Sequence, residues 1–182
     1  MISEITFSKR FTSFWNQLLP NERHYVRLIN DGLFEVVDPP TGDKNRKENI
    51  ALINEASFEI YKEILNKIIN IHQLHTTEFY NSKIFSDLTL KVMERLSKFA
   101  YGSKFTLPLV SNEKETIKKL TLRLHSKYPS HLANIRIPPF FPGCGYINSA
   151  HGDLHINAKL IEIKSGARNF SVVDMRQVLT YC

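Results

Sequence analysis

Cysteine is scarce in this chain: only Cys144 and Cys182 occur among 182 residues. Two thiols build neither a disulfide framework nor a multi-cysteine zinc site, which sets aside small secreted scaffolds and zinc-ribbon modules. Long apolar runs are missing too. Nothing approaches the roughly 20 apolar residues that span a bilayer, and the opening segment MISEITFSKRF carries charges where a signal peptide needs its apolar stretch. Internal repeats and low-complexity tracts are absent. Together these absences predict a soluble, cytoplasmic protein with no membrane partner. Acidic side chains run short in one part only: residues 1–100 carry 13 Lys plus Arg against 13 Asp plus Glu, whereas residues 101–182 carry 11 against 5. The net charge of +6 therefore resides in the C-terminal part. A polyanion is the natural partner there, because phosphate neutralisation supplies most nonspecific affinity for nucleic acid.

What is present is a hydrophobic fraction of 42%, enough for one globular domain or a small domain with a helical extension. Helical spacing groups Phe11, Phe14, Trp15, Leu18 and Leu19, is broken at Pro20, and resumes through Tyr25, Val26, Leu28 and Ile29. These aromatics are assigned to the core. A polar, turn-rich loop follows from Asp38 to Lys47. Three amphipathic helices come next: over 50–71 through Ile53, Ala56, Ile60, Ile64, Ile68 and Ile71, over 86–99, and over 113–128. The last places Lys114, Lys118, Lys119, Arg123 and Lys127 on its polar face, either along a phosphate backbone or simply in solvent. Of the histidine pairs with metal-sharing spacing, His72 with His75 reads as a polar helix flank, and His151 with His155 falls in the segment discussed next.

From Ile135 the texture turns extended, through Pro138, Pro139, Pro142, Gly143 and Gly145. The segment GYINSAHGDLHINAKLIEIKSGARNFSVVDMRQVLTYC carries the chemistry. Leu154 and Ile156, then Leu160, Ile161 and Ile163, make two short strands joined by a turn at Asn157 and Ala158. That turn fixes the register: 156 faces 159, 154 faces 161, and 153 faces 162. Alternation sends Leu154, Ile156, Ile161 and Ile163 to one face, and His151, Asp153, Glu162 and Lys164 to the other. Two carboxylates about 5 Å apart repel unless a cation lies between them, and hard oxygen ligands of this kind suit Mg²⁺ or Mn²⁺, with the carbonyl of Ile163 as a further ligand. Lys164 then stands where it can stabilise charge on an attacked phosphate or position the attacking water. Phosphodiester hydrolysis is the chemistry these parts suit. Ser171 is placed as an N-cap, with Asp174 three residues on.

Asp, a hairpin, then Glu-x-Lys resembles the PD-(D/E)XK nuclease superfamily of restriction, repair and anti-phage defence enzymes. The resemblance runs through GDLHI, KLIEIKSG and DMRQVLTY. It implies metal ligation by Asp153 and Glu162, a catalytic Lys164, and a Gln177 that supports the site or its water. It also implies Mg²⁺ or Mn²⁺ as cofactor and DNA ahead of RNA as substrate, in genome defence or repair. Gly152 stands where the family has its namesake proline. An acidic residue of the family's first helix often assists the metal, and Glu55 and Glu113 are the candidates. His151, Arg168, Arg176, Lys118, Lys119 and Arg123 are the expected nucleic-acid contacts. The fold expected is α+β with an α/β core: a mainly helical region over 1–100 and a restriction-endonuclease-like core with a small mixed sheet over 101–182. That core would be incomplete at its C-terminus and completed by a continuation or a partner chain. Two competing readings are a noncatalytic nucleic-acid-binding or interaction module that keeps the fold, and a helical interaction protein with an incidental hairpin.

Overall fold

A computed structural model of the chain describes residues 1–34, 38, 41, 44–99, 104–131, 134–164 and 168–181. In chain order the helices are α1 (Glu4–Arg10), α2 (Thr12–Leu18), α3 (Glu22–Leu28), α4 (Ile50–Leu65), α5 (Thr77–Asn81), α6 (Lys83–Phe99), α7 (Ser111–Lys127) and α8 (Val172–Thr180). The strands are β1 (Ile135–Arg136), β2 (Phe140–Phe141), β3 (Ala150–His151), β4 (Leu154–Ile156) and β5 (Lys159–Ile161). The protein is thus α+β, and no described helix is long and apolar enough to cross a membrane.

Contacts divide the chain into two units, Met1–Asp38 with Ala133–Cys182, and Pro39–Leu132. This differs from the expected division at residue 100. The N-terminal helices belong with the C-terminal strands because α1 and α3 pack against α8. A contact between segments more than a hundred residues apart leaves no trace in local composition.

The Pro39–Leu132 unit is helical. Leu52, Ile53, Ala56, Ile60 and Ile64 recur every three or four residues along α4 and are buried together with Leu88 and Val92 of α6 and Ile117 of α7. The helix expected to run to residue 71 stops at Leu65. There Lys67 turns left-handed (φ +61°), the Lys67 N–H donates to Ile64 O at 3.0 Å, and the Ile68 N–H donates to Glu63 O at 2.9 Å. This pair of bonds is a Schellman cap, and it leaves Ile68 65% exposed. The helices expected over 86–99 and 113–128 are present, each starting slightly earlier. Ser82 caps the Phe85 N–H ahead of α6, and the Glu113 carboxylate reaches back to the Val110 N–H ahead of α7. His72 and His75 are exposed in a short 3-10 turn.

The other unit holds the sheets. β1, β4 and β5 form an antiparallel sheet in the order β1-β4-β5, and β2 pairs antiparallel with β3. Where one small mixed sheet was expected, the described residues form these two small antiparallel sheets, with a parallel bridge between Ile2 and Ile147. The expectation of a shared N-terminal aromatic core is also corrected. Trp15 is buried, with its indole N–H donated to Phe7 O at 3.1 Å, whereas Phe11, Phe14, Leu18, Tyr25 and Leu28 are exposed. Helices of two turns offer the interior only one narrow face each.

Candidate active site

The hairpin forms in the expected register. Leu154 pairs with Ile161, His155 with Leu160 and Ile156 with Lys159. Asn157 supplies the left-handed residue (φ +54°) that a two-residue hairpin turn requires. Leu154 and Ile156 are buried, which locks the register, since a one-residue slip would expose both. Asp153 and Glu162 lie just beyond the paired residues, one at each strand's outer end.

Around them the geometry is specific. Asp153 Oδ2 accepts the Ile163 N–H at 2.6 Å, tying the two strands where the ladder ends. Lys164 Nζ donates to Glu162 Oε1 and to Gln177 Oε1, each at 2.8 Å. The Glu162 side chain is only 9% exposed, and its second oxygen, Oε2, is buried without a hydrogen-bond partner. Thus the structure brings Asp153, Glu162, Ile163, Lys164 and Gln177 together, with α8 delivering the glutamine.

Ser171 and Asp174 explain how α8 is held. Ser171 Oγ accepts the Asp174 N–H and the Asp174 carboxylate accepts the Ser171 N–H, a full capping box. The Arg168 guanidinium bonds both Asp174 oxygens, at 2.6 and 2.7 Å. Arg168 beside it and the Ser171 donors hold the Asp174 carboxyl well below the usual carboxylate range.

Two residues that the sequence reading passed over belong here. The Tyr181 hydroxyl accepts from Gln177 Nε2 at 3.1 Å and donates to His151 O at 3.5 Å, and its ring stacks on Phe141 with centroids 4.7 Å apart. Burial, with the charges of Glu162, Glu4 and Asp153, pushes the Tyr181 phenol up to about 12, so it is a neutral donor at physiological pH. Glu4, in the first turn of α1, lines with Tyr181 a cavity of about 180 Å³. Glu4 thus lies close enough to Tyr181 to act on its phenol. Its sole local signal was an acidic residue after the Ser3 cap.

Glu55 and Glu113, the other acidic candidates, lie in the helical unit, where each has a cationic partner. Glu55 pairs with Arg95 at 2.9 Å. Glu113 is buried, and its oxygens accept from Arg46 at 2.9 and 2.6 Å and from Asn49 at 3.1 Å. Burial alone would raise its pKa, but Arg46, the Val110 N–H and Asn49 together bring it down to about 2.

The expected phosphate contacts fare unevenly. Arg176 is 4% exposed, paired through Nε and Nη2 with buried Glu22, donating from Nη1 to Ser8 O at 3.1 Å and lying 5.7 Å over the Trp15 ring. It cannot reach a phosphate without unfolding its surroundings, so that assignment is corrected. Arg168 has its charge matched by Asp174. His151 is exposed and packs on the Phe140 ring. Lys118, Lys119 and Arg123 are on α7, in the helical unit, with Lys118 3.7 Å from Glu115.

Gly152 has a reason not to be proline. Its N–H donates to Pro139 O at 3.1 Å, a bond proline cannot make. A Cβ there would already press on Phe141 and Leu160 at 3.2 and 3.3 Å. The Ser165–Gly166 exit from the second strand and Cys182 lie outside the described residues.

A divalent metal fits the donors present. A buried carboxylate oxygen without a donor is costly, and Glu162 Oε2 is one, one residue along the chain from the Ile163 N–H that Asp153 accepts. Among the described residues no three His, Cys, Asp or Glu side chains gather into a closed cage. Mg²⁺ does not need one, since it retains several waters and binds through one or two carboxylates. Comparison with known protein families, with curated proteins and with solved structures finds no match for this chain.

Proposed function

We propose that this chain is a metal-dependent nuclease that hydrolyses phosphodiester bonds, with its core arranged in the restriction-endonuclease-like manner. The observation that carries the reading is the buried, unpartnered Oε2 of Glu162, with the Asp153 carboxylate held on the adjoining Ile163 N–H and a lysine anchored by Gln177. Asp153, Glu162 and the Ile163 carbonyl would hold Mg²⁺ or Mn²⁺, which supplies Lewis-acid polarisation of a phosphate and a more acidic bound water. Lys164, held by Gln177, offers its ammonium to the negative charge that develops on the attacked phosphate. The Gln177 amide, fixed by the Tyr181 hydroxyl, keeps that ammonium on the carboxylate face rather than free in solvent. The PD-(D/E)XK resemblance favours DNA over RNA and a setting in genome defence or repair.

A noncatalytic nucleic-acid-binding module with the same fold is the second reading. It draws on Asp153 being bonded to the Ile163 N–H and on Lys164 neutralising Glu162, contacts that stabilise the hairpin without any metal. Cleavage of labelled single- and double-stranded DNA and RNA with Mg²⁺ or Mn²⁺ separates the two. The nuclease reading expects cutting by the parent and a loss of at least about a hundredfold in Glu162→Ala. Metal binding with no cutting by either protein would favour the module.

A further inference from the structure

Arg136, on β1 of the three-stranded sheet, is a basic side chain left unused by the site above. Arg136 on β1 pairs directly with His155 on β4. Directly opposed residues of antiparallel strands point to the same face, as do residues two apart along a strand. Arg136, His155, Asp153 and Glu162 therefore share one face. Arg136 is exposed and, among the described residues, takes part in no hydrogen bond or ion pair. In this it differs from Arg168 and Arg176, both consumed by carboxylates. The His155 Nδ1 is buried without a partner, so no hydrogen bond at that atom fixes the ring.

We propose that Arg136, with His155 beside it, binds a backbone phosphate neighbouring the one attacked, and so positions a nucleic-acid strand across β1 and β4. The proposal rests on the nuclease reading for which phosphate is attacked, although strand binding itself needs no turnover. β1 and β5 flank β4 and lie about 10 Å apart, and Asp153 is about 7 Å along β4 from His155. Arg136 and Lys164 thus address different phosphates of one strand. The planar guanidinium fork matches two phosphate oxygens, which a lysine cannot reproduce. Arg136 is a positioning residue: its loss weakens substrate binding and leaves the chemistry of bound substrate intact.

The test measures anisotropy of labelled DNA and RNA oligonucleotides in EDTA, where no cutting intervenes, over a series of salt concentrations. It compares the parent with Arg136→Ala, Arg136→Lys and Lys159→Ala. Lys159 is the control: it is exposed on the same hairpin but, paired with Ile156, stands on the opposite face, and its removal costs the same charge. Arg136→Ala should weaken binding about tenfold and lower the salt slope by about one. Arg136→Lys should recover the slope but not the full affinity, and Lys159→Ala should remain near the parent. Equal effects of Arg136→Ala and Lys159→Ala, or a parent that binds no nucleic acid, overturn the proposal. Cutting in Mg²⁺ that depends on Glu162, together with unchanged binding by Arg136→Ala, sinks the subsite and leaves the nuclease reading standing. Weakened binding by Arg136→Ala with no cutting by the parent does the reverse.

Discussion

Arg176 shows how differently one residue reads in sequence and in space. Next to Gln177 on a helix it looks like a phosphate grip, yet its guanidinium lies inside the unit against Glu22, Ser8 and Trp15. Removing one partner of a buried ion pair strands the other charge, at a cost of about 3–5 kcal/mol. Arg176→Ala should therefore lower unfolding free energy by that order in urea titrations, and Glu22→Gln combined with Arg176→Met should recover part of the loss. If Arg176→Ala instead leaves stability intact and selectively weakens oligonucleotide binding, the buried assignment is wrong. Gly152 is a quieter case. Proline is excluded there because this backbone N–H is donated to Pro139 O.

Among the elements, the ends of α4 and α7 carry testable energetics. α4 ends at a left-handed Lys67, where a Cβ is a liability that glycine removes. Lys67→Gly should stabilise the protein by about 0.5–1 kcal/mol, readable as a higher denaturant midpoint at unchanged m-value. At α7, the Glu113 pKa lies below its ordinary 4.5, at about 2. Its stabilising contribution is therefore complete above about 4.5 and is lost as pH falls toward 2, on the order of 3 kcal/mol in all. Glu59, buried among Lys62, Arg95 and Lys91, and Asp174 beside Arg168 are depressed as well and add to the same acid slope. Denaturation curves at neutral pH and near pH 3 should show Glu113→Gln less stable at neutral pH and less sensitive to acid than the parent. An unchanged acid slope would show that Arg46 and Asn49 do not hold this carboxylate charged.

At the scale of the whole molecule, the pieces legible in sequence were those whose causes are local. The hairpin register followed from the Asn157–Ala158 turn and period-two alternation. The Ser171–Asp174 capping box and the apolar stripe of α4 are likewise encoded within a few residues. Less was legible wherever the cause was distant. The end of α4 carries no glycine or proline to mark it, and the exposure of Phe11 and Phe14 depends on what the short helices pack against. Glu4 comes near Tyr181 only because α1 lies on α8. By itself the sequence determined the hairpin register and the helix that carries Gln177, because strand and helix periods set which neighbours share a face. Only the tertiary structure decided which charges remain available. It buried Arg176 with Glu22, spent Glu113 on Arg46, and, among the described residues, left Glu162 Oε2 and Arg136 without partners, since pairing is settled by side chains that meet across the fold.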